Sequence, residues 1–453
     1  MSNDFLSFTA HEARLFPTAH ITSAREAEIR ATASVLAMVR AVSEFGRSIV
    51  RLAGGPAGKI GSYTEVPFEL QRRGKSPEAI RPDGIISSLR AKKEWAALVE
   101  VKVGANPLDP DQVEKYHHLA RQERFDALVT ISNEPARPGG LPPVRLDGRR
   151  LRSIPVVHFS WEHLLSEAQM LSRKKAISDP DQKWMLDEWI LYVDNPASRI
   201  LEPPDLGTYW RAVLNSAKTG SLVANSPELR DVVENWIGYL QRISLRMRAK
   251  LGAEVRMRLR KTDREVPEMH IQRLAEQACA KGMLSGTMQV PDAAGNLRTE
   301  LFLHSKTVRH LITIRAPTSG RQATRLNWLA KQLRRSPELP EDLRVTVKWD
   351  KRGMTSAARG EQVIADAGAL LFEENGSRIS RARIPRSFEV EVVSGFPRGK
   401  GRGSAALLDG ISHDVTDFYR SVVEQIVPYV PPAPRLPEHQ TSMTAKDPRK
   451  ADL

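Results

Sequence analysis

The chain has 453 residues, of which 41% are hydrophobic and 27% charged, an ordinary balance for two or three globular domains. No apolar run approaches the length of a membrane span, and the first residues carry no signal-peptide pattern. We therefore expect no membrane partner and a cytoplasmic location. The single cysteine, Cys279, excludes an internal disulfide, fits a reducing compartment and is expected to be buried in a helix.

Basic side chains outnumber acidic ones by 68 to 54, which gives a net charge of +14. The excess is concentrated, because residues 241–336 contain 20 basic and 7 acidic side chains. Such a concentration favours a polyanionic partner, since each phosphate that is neutralised releases counterions. Plain solubility is the alternative explanation, and the localisation of the charge favours nucleic acid over it.

The first 178 residues alternate helices and strands as an α/β domain does. A helix is predicted from Ser23, where Ser23-x-x-Glu26 has the spacing of a capping box, to Gly54. Short segments of strand-like composition, among them the apolar runs at 95–103 and 125–133, predict strands at 62–70, 81–88, 95–103, 125–133 and 154–159. Further helices are predicted from Asp109 and from Trp161. We expect a mixed central sheet flanked by helices.

A basic loop at residues 71–78 precedes the second of these strands. Its three cations, Arg72, Arg73 and Lys75, could hold backbone phosphates of a nucleic acid. An ordinary charged surface loop explains them equally well.

Two acids and one lysine fall on the strands predicted at 81–88 and 95–103. Successive strand side chains point to opposite faces, so Glu100 and Lys102 share one face while neighbouring valines anchor the other. A hairpin would bring Asp83 against them. Mg²⁺ prefers oxygen ligands, usually one or two carboxylates with waters and substrate phosphate, and a lysine can offset transition-state charge. The set suits metal-assisted phosphodiester hydrolysis.

These residues resemble the PD-(D/E)xK, or restriction-endonuclease-like, nucleases. The resemblance consists of Pro82-Asp83, a gap of sixteen residues, and Glu100-Val101-Lys102. That family's core runs helix, three strands, helix, strand, and the elements predicted up to residue 133 follow this order. The resemblance implies a Mg²⁺ or Mn²⁺ cofactor held by Asp83, Glu100 and the backbone carbonyl of Val101. The alternative makes Asp83 a turn residue and leaves Glu100 and Lys102 on a solvated strand face.

The resemblance also implies roles for residues on the two flanking helices. An acid from the first helix often joins the metal site of this family, and Glu44 is the candidate here; an exposed helix glutamate is the alternative. Gln112-x-x-x-Tyr116 resembles a further family signature that lies near the substrate. The Asp-Pro-Asp-Gln that opens this helix recurs at 179–182, so Gln112 is alternatively a helix-start residue and Tyr116 a core residue.

The rest of the chain carries no family resemblance. Residues 179–250 are predicted to form a helical connector and residues 251–430 a separate, basic α+β domain that binds nucleic acid or regulates. Strict alternation would place Arg256, Arg258 and Arg260 on one face of a strand. Strands are expected at 283–290, 297–304, 308–315, 343–349 and 387–393, and helices at 268–281, 321–335, 362–373 and 405–427. Residues 431–453 are proline-rich and charged and are predicted to be a disordered tail.

The function that follows is a metal-dependent nuclease, most simply a DNA endonuclease of restriction, phage defence or DNA repair, with Asp83, Glu100, Lys102, Gln112 and Tyr116 at its site. The competing hypotheses are a catalytically inactive nuclease fold that binds DNA, and a nuclease gated by a C-terminal sensor. RNA as substrate and a homo-oligomeric state both stay open.

Overall fold

The structure is a computed structural model that describes residues 14–71, 74, 76–137, 142–144, 146, 153–396 and 404–430. The predicted tail at 431–453 lies outside the described residues, as do Arg72, Arg73 and Lys75. The described chain contains a five-stranded mixed sheet near its start and a seven-stranded antiparallel sheet further on. Among the described residues, no helix is both long and apolar enough to cross a bilayer.

Two helices precede the first sheet where the sequence predicted one. The first, α1 (Ala24–Ala41), is capped as expected, with Ser23 Oγ accepting from the Glu26 N–H at 3.1 Å. The second, α2 (Ser43–Leu52), follows after Val42, which has extended backbone angles. The single-helix prediction was wrong because a distant residue caps α2: the Ser43 N–H donates to Gln182 Oε1 at 2.9 Å.

The first sheet has the order β1-β4-β5-β6-β7. Its strands are β1 (Lys59–Thr64), β4 (Gly84–Arg90), β5 (Lys93–Val101), β6 (Ala127–Ser132) and β7 (Val156–Ser160). The first three pair antiparallel and the last three parallel. A separate hairpin of β2 (Phe68–Leu70) and β3 (Glu78–Ile80) replaces the second half of the strand predicted at 62–70. The chain turns there at Glu65, whose φ is 52°.

Helices cover both faces of this sheet. They are α3 (Pro110–Gln122), α4 (Trp161–Arg173) and α5 (Pro180–Asp194), together with α1 and α2. We call the side that packs on α1, α2, α4 and α5 the first core; Val99, Val101 and Val103 point into it as expected. Leu98, on the opposite face of β5, packs with Val113 and Leu119 of α3.

The helices of residues 179–250 do not form a unit of their own. Leu186 and Trp189 of α5 lie in the first core. The next two helices, α6 (Trp210–Thr219) and α7 (Pro227–Leu251), bury their apolar faces with the second sheet in what we call the second core. The region predicted to be a connector is therefore divided between the two cores.

The second sheet is antiparallel throughout, with the order β13-β12-β14-β11-β10-β9-β8. Its strands are β8 (Arg256–Met257), β9 (Met283–Gln289), β10 (Leu297–Phe302), β11 (Thr307–Arg315), β12 (Arg344–Trp349), β13 (Thr355–Arg359) and β14 (Pro385–Gly395). Its helices are α8 (Lys261–Glu265), α9 (Pro267–Lys281), α10 (Gln322–Leu333), α11 (Gly360–Ala365) and α12 (Ala405–Phe418), with a 3-10 turn at Ala367–Leu371. The sequence missed β13 and merged α11 with that turn.

Two further expectations for this half differ from the structure. The strand of alternating arginines has only two paired residues, although Arg256, Arg258 and Arg260 are all exposed and the Arg258 N–H still donates to Thr287 O at 2.8 Å. Arg260 instead precedes α8 as its N-cap residue. Cys279 is exposed rather than buried, because it lies on the outer side of α9.

Candidate active site

The β4–β5 hairpin brings Asp83 beside Glu100 and Lys102. Strands β4 and β5 are joined by a two-residue turn, and their register places Gly84 opposite Val99. Asp83, immediately before β4, therefore reaches the end of β5, where its Oδ2 accepts from the Val101 N–H at 2.8 Å. The site residues that were separated by sixteen positions in the sequence meet at one sheet edge.

A glycine after Asp83 lets helix α1 approach this edge. A Cβ at Gly84 would lie 2.4 Å from Leu36 Cδ1 and 2.9 Å from the carbonyl oxygen of Tyr63. The end of the Leu36 side chain can turn away, but the Tyr63 oxygen belongs to the backbone of β1, so a larger residue at position 84 would have to displace that strand.

Glu100 is the most enclosed member of the site. Its side chain is 1% exposed, and neither carboxylate oxygen has a hydrogen-bond partner of good geometry in the described part of the chain. Lys102 Nζ lies 2.7 Å from Glu100 Oε1, so the two form an ion pair by distance although not an aligned hydrogen bond. A buried carboxylate with unsatisfied oxygens is costly unless a cation or proton compensates it.

The surroundings shift the pKa values of both partners. Burial, reinforced by the neighbouring Asp83 carboxylate and opposed by Lys102, raises the pKa of Glu100 to about 8. Burial alone would lower the pKa of Lys102, but the carboxylates of Glu100, Glu28 and Asp83 outweigh it and raise that pKa. The Lys102 side chain is therefore charged at neutral pH, while the charge of Glu100 depends on whether a proton or a cation is bound to it.

The acid that α1 contributes is Glu28, a residue outside the predicted site. Its Oε1 accepts from Lys102 Nζ at 3.2 Å, and its pKa is raised by burial against the opposing effect of Lys102. Glu44, the predicted acid, lies in the first turn of α2, beyond the break at Val42, and no contact between it and Lys102 is seen among the described residues. The sequence does indicate that Glu28 faces the sheet. It lies three residues before Ala31 and seven before Val35, both of which are buried, so all three share the apolar face of α1.

Gln112 and Tyr116 lie on α3 beside the same edge. Gln112 Nε2 donates to the Tyr116 hydroxyl at 3.2 Å, and that hydroxyl donates to the carbonyl of Arg81 at 3.3 Å. Burial, then the nearby charge of Glu100, raises the pKa of Tyr116 to about 12. Tyr116 is also buried, so it serves the packing of α3 as well as lining the site. The helix-start role of the motif belongs to Asp109, whose side chain accepts from the Asp111 N–H.

The donor set suits a hard divalent cation. Asp83 and Glu100 offer carboxylate oxygens, and Mg²⁺ or Mn²⁺ commonly takes one or two of these with water and phosphate oxygens. The unsatisfied oxygens of Glu100 fit that demand. The role of the Val101 carbonyl as a ligand stays a prediction. No cluster of three or more His, Cys, Asp or Glu side chains arranged to hold a metal occurs in the described residues.

Comparisons of the chain with protein-family models, with curated proteins and with solved structures found no match.

Proposed function

We propose that the chain is a metal-dependent nuclease that hydrolyses phosphodiester bonds, with DNA as the favoured substrate. The observation that supports it most is the enclosed Glu100 carboxylate, whose oxygens accept no well-aligned hydrogen bond from the described residues while Asp83 and Lys102 lie beside it. Two carboxylates and a lysine lie at one sheet edge, and the pKa values of Glu100 and Lys102 are both raised, a combination that is common at functional sites.

Each residue would have a distinct role. Asp83 and Glu100 would hold a divalent cation, which supplies polarisation of the phosphoryl oxygen and a lower pKa of bound water. Lys102, a cation held by Glu28 and Glu100, would orient the attacking water and offset charge that develops on the phosphorus centre. Gln112 and Tyr116 would contact the substrate from α3.

The second half of the chain would supply affinity for the nucleic acid. Its basic excess at 241–336 and the exposed arginines of the β8 edge support a polyanionic substrate, because nucleic-acid affinity rises with the number of phosphates contacted. DNA endonucleases of restriction, phage defence or repair commonly combine a nuclease domain with a recognition domain. The assignment of this chain to one of those processes rests on that analogy.

The decisive experiment incubates the full chain with supercoiled plasmid, linear duplex, single-stranded DNA and RNA, each with Mg²⁺ or Mn²⁺. We compare the wild type with Asp83→Asn and Lys102→Ala. Asparagine at 83 can still accept from the Val101 N–H, so the substitution removes charge without removing that contact. Each variant is expected to cleave about 10²–10³-fold more slowly.

Lys92→Ala is the matched control, since Lys92 is exposed on the turn of the same hairpin. It should cleave like the wild type. Equal cleavage by all four proteins would place the activity elsewhere and end the proposal. DNA binding without cleavage under every condition would instead support the inactive nuclease fold.

A further inference from the structure

The backbone of Lys102 is held by two contacts from outside the β4–β5 hairpin. Its N–H donates to Ile131 O of β6 at 2.7 Å, and its carbonyl accepts from Trp161 Nε1 at 2.8 Å. Trp161 is fully buried and is the first residue of α4. Because β5 ends at Val101, the indole fixes the path of the chain at the point where the lysine side chain leaves it.

The next residue, Glu162, is tied to the second core. It is 6% exposed and lies within ion-pair distance of two arginines of α7. Arg246 Nη2 and Nε lie 2.9 Å and 3.2 Å from Glu162 Oε1, and Arg242 Nε lies 2.6 Å from the same oxygen. Helix α7 buries its own apolar face in the second core. The acid therefore links the first turn of α4 to the opposite half of the molecule.

We propose that Trp161 and Glu162 form a positioning link through which α7 sets the location of Lys102. The arginines fix Glu162, the helical backbone carries this constraint to the adjacent Trp161, and the indole N–H holds the Lys102 carbonyl. A ligand or substrate that moves α7 would thereby change the rate of cleavage. The inference rests on the proposed nuclease function, and it assigns control of the cleavage rate to α7 of the second core.

A second ion pair between the same two helices provides the control. Glu167, also on α4, pairs with Arg248 Nη2 at 2.7 Å, and Glu167 is as well buried as Glu162. It lies five residues further along the helix and is not adjacent to Trp161. Glu167→Gln thus weakens the docking of α4 on α7 without acting on the residue that contacts Lys102.

The kinetic test uses the full chain with Mg²⁺ and the best substrate found above. Trp161→Phe and Glu162→Gln should each lower kcat about ten- to a hundredfold with little change in KM, because small misplacements of a catalytic group have effects of this size. Their double variant should lose little more than either alone, while Glu167→Gln should keep the wild-type kcat. Equal losses of kcat in Glu162→Gln and Glu167→Gln would show a general docking defect and overturn the link.

A readout that does not need cleavage separates this proposal from the proposed function. The eight tryptophans are labelled with 5-fluorotryptophan, and Trp161→Phe assigns the ¹⁹F resonance of Trp161. Glu162→Gln should move that resonance and Glu167→Gln should not, with urea midpoints showing that both variants fold. An unmoved resonance in Glu162→Gln overturns the link. A moved resonance in a protein that cuts nothing would support the link and reject the nuclease.

Discussion

The energetic cost of the candidate site is concentrated in Glu100. A buried carboxylate beside a second carboxylate is unfavourable, and the attraction of Lys102 offsets only part of the desolvation cost of Glu100. Burial and the Asp83 carboxylate raise the pKa of Glu100 to about 8, so a proton and a divalent cation compete for this carboxylate. Cation binding would therefore release a proton, and cation affinity should rise with pH between about 6 and 8.

Glu28 gives a sharp test of how Lys102 is oriented. Glu28→Gln keeps the shape of the side chain but removes a charge that lies 3.2 Å from the ammonium. We expect kcat to fall about tenfold, the lower end of what the loss of a supporting partner around a metal site costs. Steady-state cleavage measures it. Glu44→Gln on α2 is the control, and a larger loss there than in Glu28→Gln would restore the original assignment.

The three central residues were predictable because their meeting depends on local structure alone. A hairpin with a short turn and strict alternation is enough to bring Asp83 to Glu100 and Lys102. Glu28 and Trp161 were not predictable in the same way, since each reaches Lys102 from a separate helix. Only the packing of those helices on the sheet decides which of their side chains faces it.

At the scale of elements, a continuous apolar stripe predicted one long helix, but the chain breaks between α1 and α2 because of a tertiary contact. The break is capped by Gln182 of α5. Residue 182 belongs to the second Asp-Pro-Asp-Gln, whose Asp179 caps α5 as the motif predicts. The capping role of Asp179 was therefore predictable from the sequence, while the contact of Gln182 with α2 depends on the tertiary fold.

Gly46 permits the close approach of α2 to α1. A Cβ there would lie 2.0 Å from the carbonyl oxygen of Val39, a backbone atom that cannot rotate away. Alanine is favoured over glycine in a helix by about 1 kcal/mol, so the clash must exceed this gain. We expect Gly46→Ala to lower the free energy of unfolding by about 1–3 kcal/mol in urea titrations.

Gly395→Ala is the control for that variant. Gly395 ends β14, and no atom of the described residues lies within 4 Å of a Cβ built on it. Its effect should stay within about 0.5 kcal/mol. If Gly46→Ala were equally mild, α1 and α2 would be less closely packed than the structure has them.

The strands of the second sheet differ in how readily the sequence reveals them. Strands β10, β11 and β14 carry β-branched or large apolar residues at alternate positions and were predicted within a few residues. Strand β13 (Thr355–Arg359) has the sequence TSAAR and lies at the end of the sheet order, where β12 is its one partner among the described strands. Its small side chains give no alternating apolar signal, so its pairing is set by the neighbouring strand.

At the scale of the whole molecule, part of the basic excess holds the two cores together. Arg242, Arg246 and Arg248 all lie in the basic region and pair with Glu162 or Glu167 across the two cores. Within the second core, Glu300 receives both Arg298 and Arg309. The count of charges in the sequence therefore overstates the cations that are available to a nucleic acid.

The exposed arginines of the β8 edge remain the best candidates for contacts with phosphate. Arg258 and Arg260 have no carboxylate within ion-pair distance among the described residues. Arg256 makes one long surface contact, with 3.6 Å between its Nη2 and Glu254 Oε2. Each phosphate contact adds about 0.9 to the slope of log affinity against log salt concentration. Replacing all three arginines by alanine should therefore reduce that slope by about 2.7, measured by fluorescence anisotropy on labelled duplex.

A second triple variant separates local contacts from net charge. Arg40, Arg47 and Arg51 are exposed on α1 and α2, so their replacement by alanine lowers the net charge equally. If the β8 edge contacts phosphate, the first triple variant loses slope and the second keeps it. Equal slopes in both would mean that the field of the whole protein, rather than this edge, attracts DNA. Absence of DNA binding by the wild type would favour a sensor role for the second core.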